Sequence, residues 1–120
     1  MTNLSVLGAR NIYVRNRPIA IDQEGYLLNR DDWSEEFAVV LAGEEGLTLT
    51  DEHWEVIHFL RKYYEQRGVQ AAVHVMIKHF RETWGPERGN NRYLHDIFPR
   101  GGPQKQGNRL AGIHRTRGEH

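Results

Sequence analysis

Seven histidines are the side chains in this sequence best suited to bind a metal ion or to transfer a proton. Neutral imidazole is a common metal ligand, and its pKa suits proton transfer near neutral pH. His53 and His58 are five residues apart, as are His74 and His79, so the members of each pair would point to different faces of a helix. This spacing favours solvated or hydrogen-bonded histidines, and we predict no metal site and no cofactor.

Nucleophilic catalysis has few candidate residues. The chain has no cysteine, which excludes thiolate catalysis, iron–sulfur ligation and persulfide formation on this chain. Serine occurs only at Ser5 and Ser34, and Ser34 falls in the first turn of a predicted helix, so a serine-nucleophile triad is improbable. Neighbouring carboxylates such as Glu35 and Glu36 are typical of a solvated surface. We therefore predict that the chain is not an enzyme.

A basic helix face could contact phosphate groups. On a helix, His74, Lys78 and Arg81 share one face at positions i, i+4 and i+7. Two helices joined through Gly68, the second of them basic, resemble a helix-turn-helix in outline. Nucleic-acid binding through these residues is one interpretation, and a solvated helix surface is the alternative that we favour.

The elements that would position these residues begin with a predicted β-hairpin. Apolar and polar residues alternate through residues 12–28, with the turn-forming residues 22–25 between the two halves. Pro18 cannot donate a hydrogen bond to a neighbouring strand, so its strand is expected at an edge.

Capping signals and apolar stripes predict helices after the hairpin. A capping-box-like pair, Asp32 and Glu35, predicts a helix over residues 32–42. Thr50 as the N-cap and Gly68 after a basic last turn predict a long central helix between them. A third amphipathic helix follows and ends at Gly85, and a short helical segment spans residues 90–98.

The C-terminal end differs in charge from the rest of the chain. Residues 100–120 contain five basic residues and one acidic residue, whereas residues 1–99 carry a net charge of minus four. A basic, glycine-rich end is typical of a docking arm for an acidic partner or nucleic acid, and also of an inert flexible terminus. We expect a single domain, with a helical body over residues 1–103 and a flexible arm over residues 104–120.

The chain has no signal for a membrane or for export. No stretch approaches the roughly 20 apolar residues that span a bilayer. The N-terminus lacks the basic segment and apolar run of a secretory signal. These features predict no membrane insertion and a cytoplasmic location.

The C-terminal third carries motifs that composition and periodicity do not interpret. They are Tyr93-Leu94, Ile97-Phe98-Pro99, Gly101-Gly102-Pro103, Lys105-Gln106-Gly107 and Ala111-Gly112-Ile113. Upstream the pattern continues through Asp22-Gln23-Glu24-Gly25-Tyr26-Leu27, Asp32-Trp33, Ala38, Leu49-Thr50, His53-Trp54 and Ile57-Leu60-Arg61-Tyr63-Tyr64. From residue 18 nearly to the end, the chain resembles the DsrC/TusE family, whose members are also called the gamma subunit of dissimilatory sulfite reductase.

The resemblance implies both a fold and a function. The fold is mainly α: a compact orthogonal helical bundle with a small N-terminal β-hairpin, a helix-turn-helix-like topology and a flexible C-terminal arm. Family members carry sulfur on a cysteine next to the C-terminus, as a persulfide for tRNA thiolation or as a trisulfide formed with sulfite reductase. The implied partners are dissimilatory sulfite reductase or Tus-type sulfur-relay proteins.

This chain departs from the family at the positions that carry sulfur. Glu119 stands where the penultimate cysteine belongs, and Asn108 stands where the dissimilatory branch has its second cysteine. Two prolines of the arm are replaced by His114 and Thr116. The residues that we expect to contact partners along the arm are Lys105, Arg109, Ile113, Arg115 and Arg117.

Three hypotheses follow from the resemblance and the departures. The first is a non-catalytic, cysteine-less member that binds sulfur-metabolism partners and tunes sulfur transfer or sulfite reduction. The second is a DNA-binding transcriptional regulator that uses the helix-turn-helix-like surface. The third is an active sulfur carrier or sulfite reductase gamma subunit, against which the missing cysteines argue directly.

Overall fold

In the computed structural model, which describes residues 8–113, a short β-hairpin precedes the helices. The hairpin consists of β1, Arg10–Val14, and β2, Arg17–Ile21, and one turn of 3-10 helix, Arg30–Asp32, comes after it. The helices are α1, Glu35–Glu44; α2, Asp51–Arg67; α3, Val73–Trp84; α4, Asn91–Ile97; and α5, Gly102–Leu110. The prediction of a mainly α-helical bundle with a small N-terminal hairpin is therefore confirmed.

The turn that we predicted at residues 22–25 pairs Ile21 with Leu27 in an antiparallel bridge, and strands β1 and β2 are joined by an earlier turn at Arg15 and Asn16. Both residues have positive φ angles, 52° and 65°, which match the two-residue turn that suits the twist of paired strands. Residues 22–25 form a second turn, in which the Asp22 carboxylate accepts a hydrogen bond from the backbone N–H of Glu24 at 2.9 Å. The alternation predicted the later of the two turns and missed the earlier one, because the alternation runs across both.

Capping residues set where the main helices begin and end. The Ser34 hydroxyl accepts a hydrogen bond from the backbone N–H of Phe37 at 3.0 Å, which makes Ser34 the N-cap of α1. The helix that we predicted from Asp32 therefore begins at residue 35, because Asp32 belongs to the 3-10 turn before it. Thr50 begins α2 as predicted, and Gly68, with φ at 72°, ends it.

The hydrophobic core surrounds α5, which packs against α1, α2 and α4. Gly107 lets α5 lie close to α2, since a Cβ at that position would stand 2.9 Å from Leu60 Cδ1. The largest buried side chains come from the surrounding elements and from the end of α5: Phe37, Leu41, Ile57, Leu60, Met76, Phe80, Leu94, Phe98 and Leu110. The C-terminal helix is therefore the centre of the fold.

The C-terminal arm begins later than we predicted. We placed its start at residue 104, but residues 106–113 are all buried, and Ile113 is 3% exposed. The sequence of α5 resembles a solvated tail because it is mostly polar, yet its polar side chains have partners in the body. Gln106 accepts a hydrogen bond from the backbone N–H of Arg100 and donates one to Glu45. Residues 114–120, where the rest of the predicted arm lies, are outside the described residues.

Candidate functional site

The described residues end beside a cluster that we call the arm anchor, defined as Trp33, Arg61, Leu110, Ala111 and Gly112. Trp33 Nε1 donates a hydrogen bond to the carbonyl of Leu110 at 2.8 Å. Arg61 Nη1, on α2, donates one to the carbonyl of Ala111 at 2.8 Å. Because the last carbonyls of a helix lack partners within it, these two side chains supply the donors that the end of α5 needs.

Trp33 and Arg61 also support one another. The Arg61 guanidinium carbon lies 3.8 Å from the centre of the Trp33 ring, which is a cation–π contact. Burial lowers the pKa of Arg61 more than the attraction of Glu65 raises it. An arginine nevertheless stays protonated in proteins, so the anchor keeps a positive charge beside the point where the arm begins.

Gly112 meets a demand for space as well as for backbone conformation. Its φ angle is 70°, and a Cβ would lie 2.5 Å from Trp33 Cδ1. Its N–H donates to the carbonyl of Arg109 at 3.2 Å, and the N–H of Ile113 donates to the carbonyl of Asn108 at 3.0 Å. A left-handed glycine followed by a backward hydrogen bond is a common way to end a helix. The backbone conformation at the end of α5 is therefore set by packed residues.

Arg109, which we predicted as a partner contact on the arm, lies inside the body. It is 9% exposed, and its Nε and Nη2 atoms donate to the two carboxylate oxygens of Glu45 at 3.1 and 3.0 Å. Burial opposes its charge, but the hydrogen bond and the attraction from Glu45 outweigh burial, so the pKa of Arg109 is raised. The structure argues against a partner contact here, because Glu45 already occupies the guanidinium, and Ile113 is buried as well.

Asn108, which we predicted to stand at the family's upstream cysteine position, is also buried, at 2% exposure. Its Nδ2 donates to the carbonyl of Gln104 at 2.6 Å and lies 3.4 Å from Gln70 Oε1. Its Oδ1 is the one buried side-chain polar atom without a hydrogen-bond partner in residues 8–113. The position that we matched to the upstream cysteine is therefore occupied by a buried amide within α5.

The other predicted site residues lie on the surface or outside the described part of the chain. Lys105 is exposed on α5, and His74, Lys78 and Arg81 are exposed on α3. Their i, i+4 and i+7 spacing places these three on one side of the helix. Arg115, Arg117 and Glu119 lie outside the described residues.

His53 has a structural role that fits the hydrogen-bonded interpretation. It is 5% exposed, and its Nδ1 accepts a hydrogen bond from the backbone N–H of Thr50 at 2.9 Å. Its Nε2 lies 2.7 Å from the carbonyl of Ile97, so Nε2 carries the proton and donates it. His53 thereby joins the start of α2 to the end of α4.

Residues 8–113 contain neither a metal-binding cluster nor a membrane-spanning helix. No group of three or more histidine, aspartate or glutamate side chains is arranged to hold a metal ion. No helix in this part of the chain has the length and apolar character needed to cross a membrane.

Trp33, Arg61 and Gly112 belong to motifs of the sequence, but no contact between them was predicted. Trp33 and Leu110 are 77 residues apart, and no periodicity links such distant positions. The one local signal was the glycine just past the end of a helical segment.

Comparisons with known proteins agree with the resemblance seen in the sequence. A family model described as DsrC like protein matches residues 13–118. The sulfurtransferase TusE of Yersinia pseudotuberculosis serotype I (strain IP32953) is 45% identical over 97 residues, which are 81% of this chain and 89% of that protein.

Solved structures show the same fold. The NMR structure of DsrC from Allochromatium vinosum is 44% identical, with a TM-score of 0.81 over 92% of this chain and 97% of that chain. The crystal structure of the oxidized gamma subunit of dissimilatory sulfite reductase (DsrC) from Archaeoglobus fulgidus is 32% identical, with a TM-score of 0.83 over 90% and 97%. The names of these proteins concern sulfur transfer and sulfite reduction, which does not support the alternative of a DNA-binding regulator.

Proposed function

The chain belongs to the DsrC family, and we propose that it binds protein partners of sulfur metabolism and regulates sulfur transfer without carrying sulfur itself. The proposed partners are dissimilatory sulfite reductase or Tus-type sulfur-relay proteins, and the proposed role is non-enzymatic and cytoplasmic. One contrast carries the proposal. The arm anchor makes both of its side-chain hydrogen bonds to the end of α5. In contrast, Asn108 and Glu119 occupy the two positions that we match to the family's sulfur-carrying cysteines.

The missing thiols remove the sulfur-carrying step. A persulfide forms on a protein through a thiolate sulfur, and this chain has no cysteine at any position. The carboxylate of Glu119 cannot hold sulfane sulfur reversibly, and neither can the amide of Asn108. The chain can therefore bind the partners of a sulfur carrier without transferring sulfur to them.

Docking by the arm does not depend on a thiol. Glu119 follows Ile113 by six positions, and an extended chain covers at most about 3.5 Å per position, so Glu119 can reach no farther than about 21 Å from Ile113. The acidic Glu119 is similar in charge to an oxidised cysteine such as a sulfinate. We propose that it enters the place where a relative's cysteine would react and thereby competes with that relative.

Sulfur loading can be tested by intact mass spectrometry after incubation with a low-molecular-weight persulfide donor. The unmodified chain should gain no sulfur, and the Glu119→Cys variant should gain the mass of one sulfur atom and lose it with a reductant. Asn108→Cys is the matched control, because its thiol would be buried and should react far more slowly. Equal loading of both variants would contradict the proposed division between arm and body.

Partner binding needs a separate measurement with purified sulfite reductase and purified sulfur-relay proteins. The full chain is compared with a chain that ends at Ile113, because a truncation at residue 103 would remove most of α5 and the centre of the core. We expect the full chain to bind at least one of these proteins and the shortened chain to bind it much more weakly. The proposal fails if the full chain binds none of them at concentrations where a cysteine-bearing relative binds.

A further inference from the structure

A groove of about 390 Å³ runs between α2 and α3, and we call it the α2–α3 groove. Half-buried Phe59, Tyr63 and Val75 form its floor, and exposed Lys62 and Lys78 stand on its opposite helices. This size falls within the range of protein clefts that bind ligands or partner side chains. The groove shares no residue with the arm anchor.

The charge of the groove is positive. Its lining includes Lys62, Lys78 and Arg67 but only one carboxylate, that of Glu82. Neither lysine forms an ion pair with a carboxylate anywhere in residues 8–113. The two ammonium groups are therefore free to meet negative charge brought by another molecule.

We propose that the α2–α3 groove is a docking site for an acidic amphipathic helix of a partner protein. An amphipathic helix binds such grooves by laying its apolar face on the floor. Carboxylates on both flanks of that helix would face Lys62 on one wall and Lys78 on the other, and complementary charges of this kind set orientation and association rate. This contact lies on the body of the protein and does not depend on the arm.

The arrangement of the aromatic rings favours a protein partner over single-stranded nucleic acid. Bases bind such surfaces by stacking on open aromatic faces. Phe59 is already stacked on His79, with ring centres 4.4 Å apart, and Tyr63 is covered by Arg67 at 4.9 Å. Because His79 and Arg67 each cover one face of these rings, the groove offers apolar contact and positive charge but less open stacking area than a base-binding surface.

The test is an NMR titration of the full, ¹⁵N-labelled chain with three probes. They are a synthetic amphipathic helical peptide with leucines on one face and glutamates on its flanks, the same peptide with lysines in place of the glutamates, and a short single-stranded oligodeoxynucleotide. We expect the acidic peptide to shift the amide signals of residues 59–67 and 75–82. We expect the lysine peptide to leave those signals in place.

A pair of charge-reversed variants makes the test specific. Lys62→Glu combined with Lys78→Glu should weaken binding of the acidic peptide by roughly tenfold or more. Arg17→Glu combined with Arg92→Glu changes the net charge equally at exposed sites outside the groove and should leave binding within about twofold. The proposal is overturned if the acidic peptide causes no localised shifts, if both peptides bind equally, if both double variants weaken binding alike, or if the oligonucleotide binds the groove more tightly than the acidic peptide.

Discussion

Replacing Arg61 by alanine is expected to lower the free energy of unfolding by about 1.5–5 kcal/mol. The carbonyl of Ala111, a residue with no exposed surface, loses its donor, and an unpaired buried acceptor costs about 1–3 kcal/mol. The guanidinium also leaves the Trp33 ring, a contact that contributes about 0.5–2 kcal/mol. Urea unfolding followed by far-UV circular dichroism measures the sum.

Two neighbouring substitutions separate the anchor from general effects of charge. Arg61→Lys keeps the charge but loses the planar fork, so we expect an intermediate loss of stability. Lys62→Ala, next in sequence and exposed, should change the free energy of unfolding by no more than about 0.5 kcal/mol. If Arg61→Ala falls within that same margin, the anchor does not hold the end of α5 and our reading of it is refuted.

Three further predictions follow from the same contacts. Gly112→Ala should lower the free energy of unfolding by about 2–4 kcal/mol in urea unfolding, because a side chain would be strained at positive φ and would overlap the anchor tryptophan. Glu45→Ala should lower the free energy of unfolding by about 3–5 kcal/mol, because the buried guanidinium of Arg109 loses its counter-ion. The pKa of Arg109 is raised, so this stabilisation is present below the ordinary arginine pKa and is lost only as pH rises through the raised value. The destabilisation of the variant should therefore be the same at neutral and mildly alkaline pH. The hydrogen bond to Glu52 and, to a smaller extent, burial raise the pKa of Tyr93. Any stability from this group is therefore lost only as pH rises through the raised pKa. Ultraviolet titration should show Tyr93 ionising at a higher pH than an ordinary tyrosine, and Glu52→Gln should remove this difference.

The predictions for Gly112 and Tyr93 each have a control. Gly46 also has a positive φ angle, 78°, but a Cβ there would meet nothing within 4 Å. Gly46→Ala should therefore cost only about 1 kcal/mol, and equal losses for Gly46→Ala and Gly112→Ala would show that the overlap with Trp33 has no effect. Tyr93→Phe should remove the late step from the ultraviolet titration, and its persistence would assign that step to another tyrosine.

The parts of the fold that could be predicted rest on local signals. Thr50 and Gly68 mark the ends of α2 through capping chemistry that involves only neighbouring residues. Asn90 caps α4 in the same way, accepting from the N–H of Tyr93 at 2.8 Å. The start of α1 was misplaced because Asp32 and Ser34 both have cap chemistry, and only the structure shows that Ser34 is used.

The features that could not be predicted depend on distant partners. α5 is polar in sequence, so its burial becomes visible only when Glu45 and the body of the fold are in place around Arg109 and Gln106. The arm anchor likewise joins residues from three separate parts of the chain. The family resemblance identified the motifs, but the contacts between them could be seen only in the structure.

The proposed role is tested most directly by a reconstituted sulfur-transfer assay. A cysteine-bearing relative from the same family delivers sulfur to its partner while increasing amounts of this chain are added. We expect the full chain to lower the rate of sulfur transfer and extra partner protein to restore that rate. A chain ending at Ile113 should lower the rate far less. Transfer that is unaffected by the full chain at a several-fold excess over the relative, or sulfur found on this chain by intact mass, would contradict the proposed role.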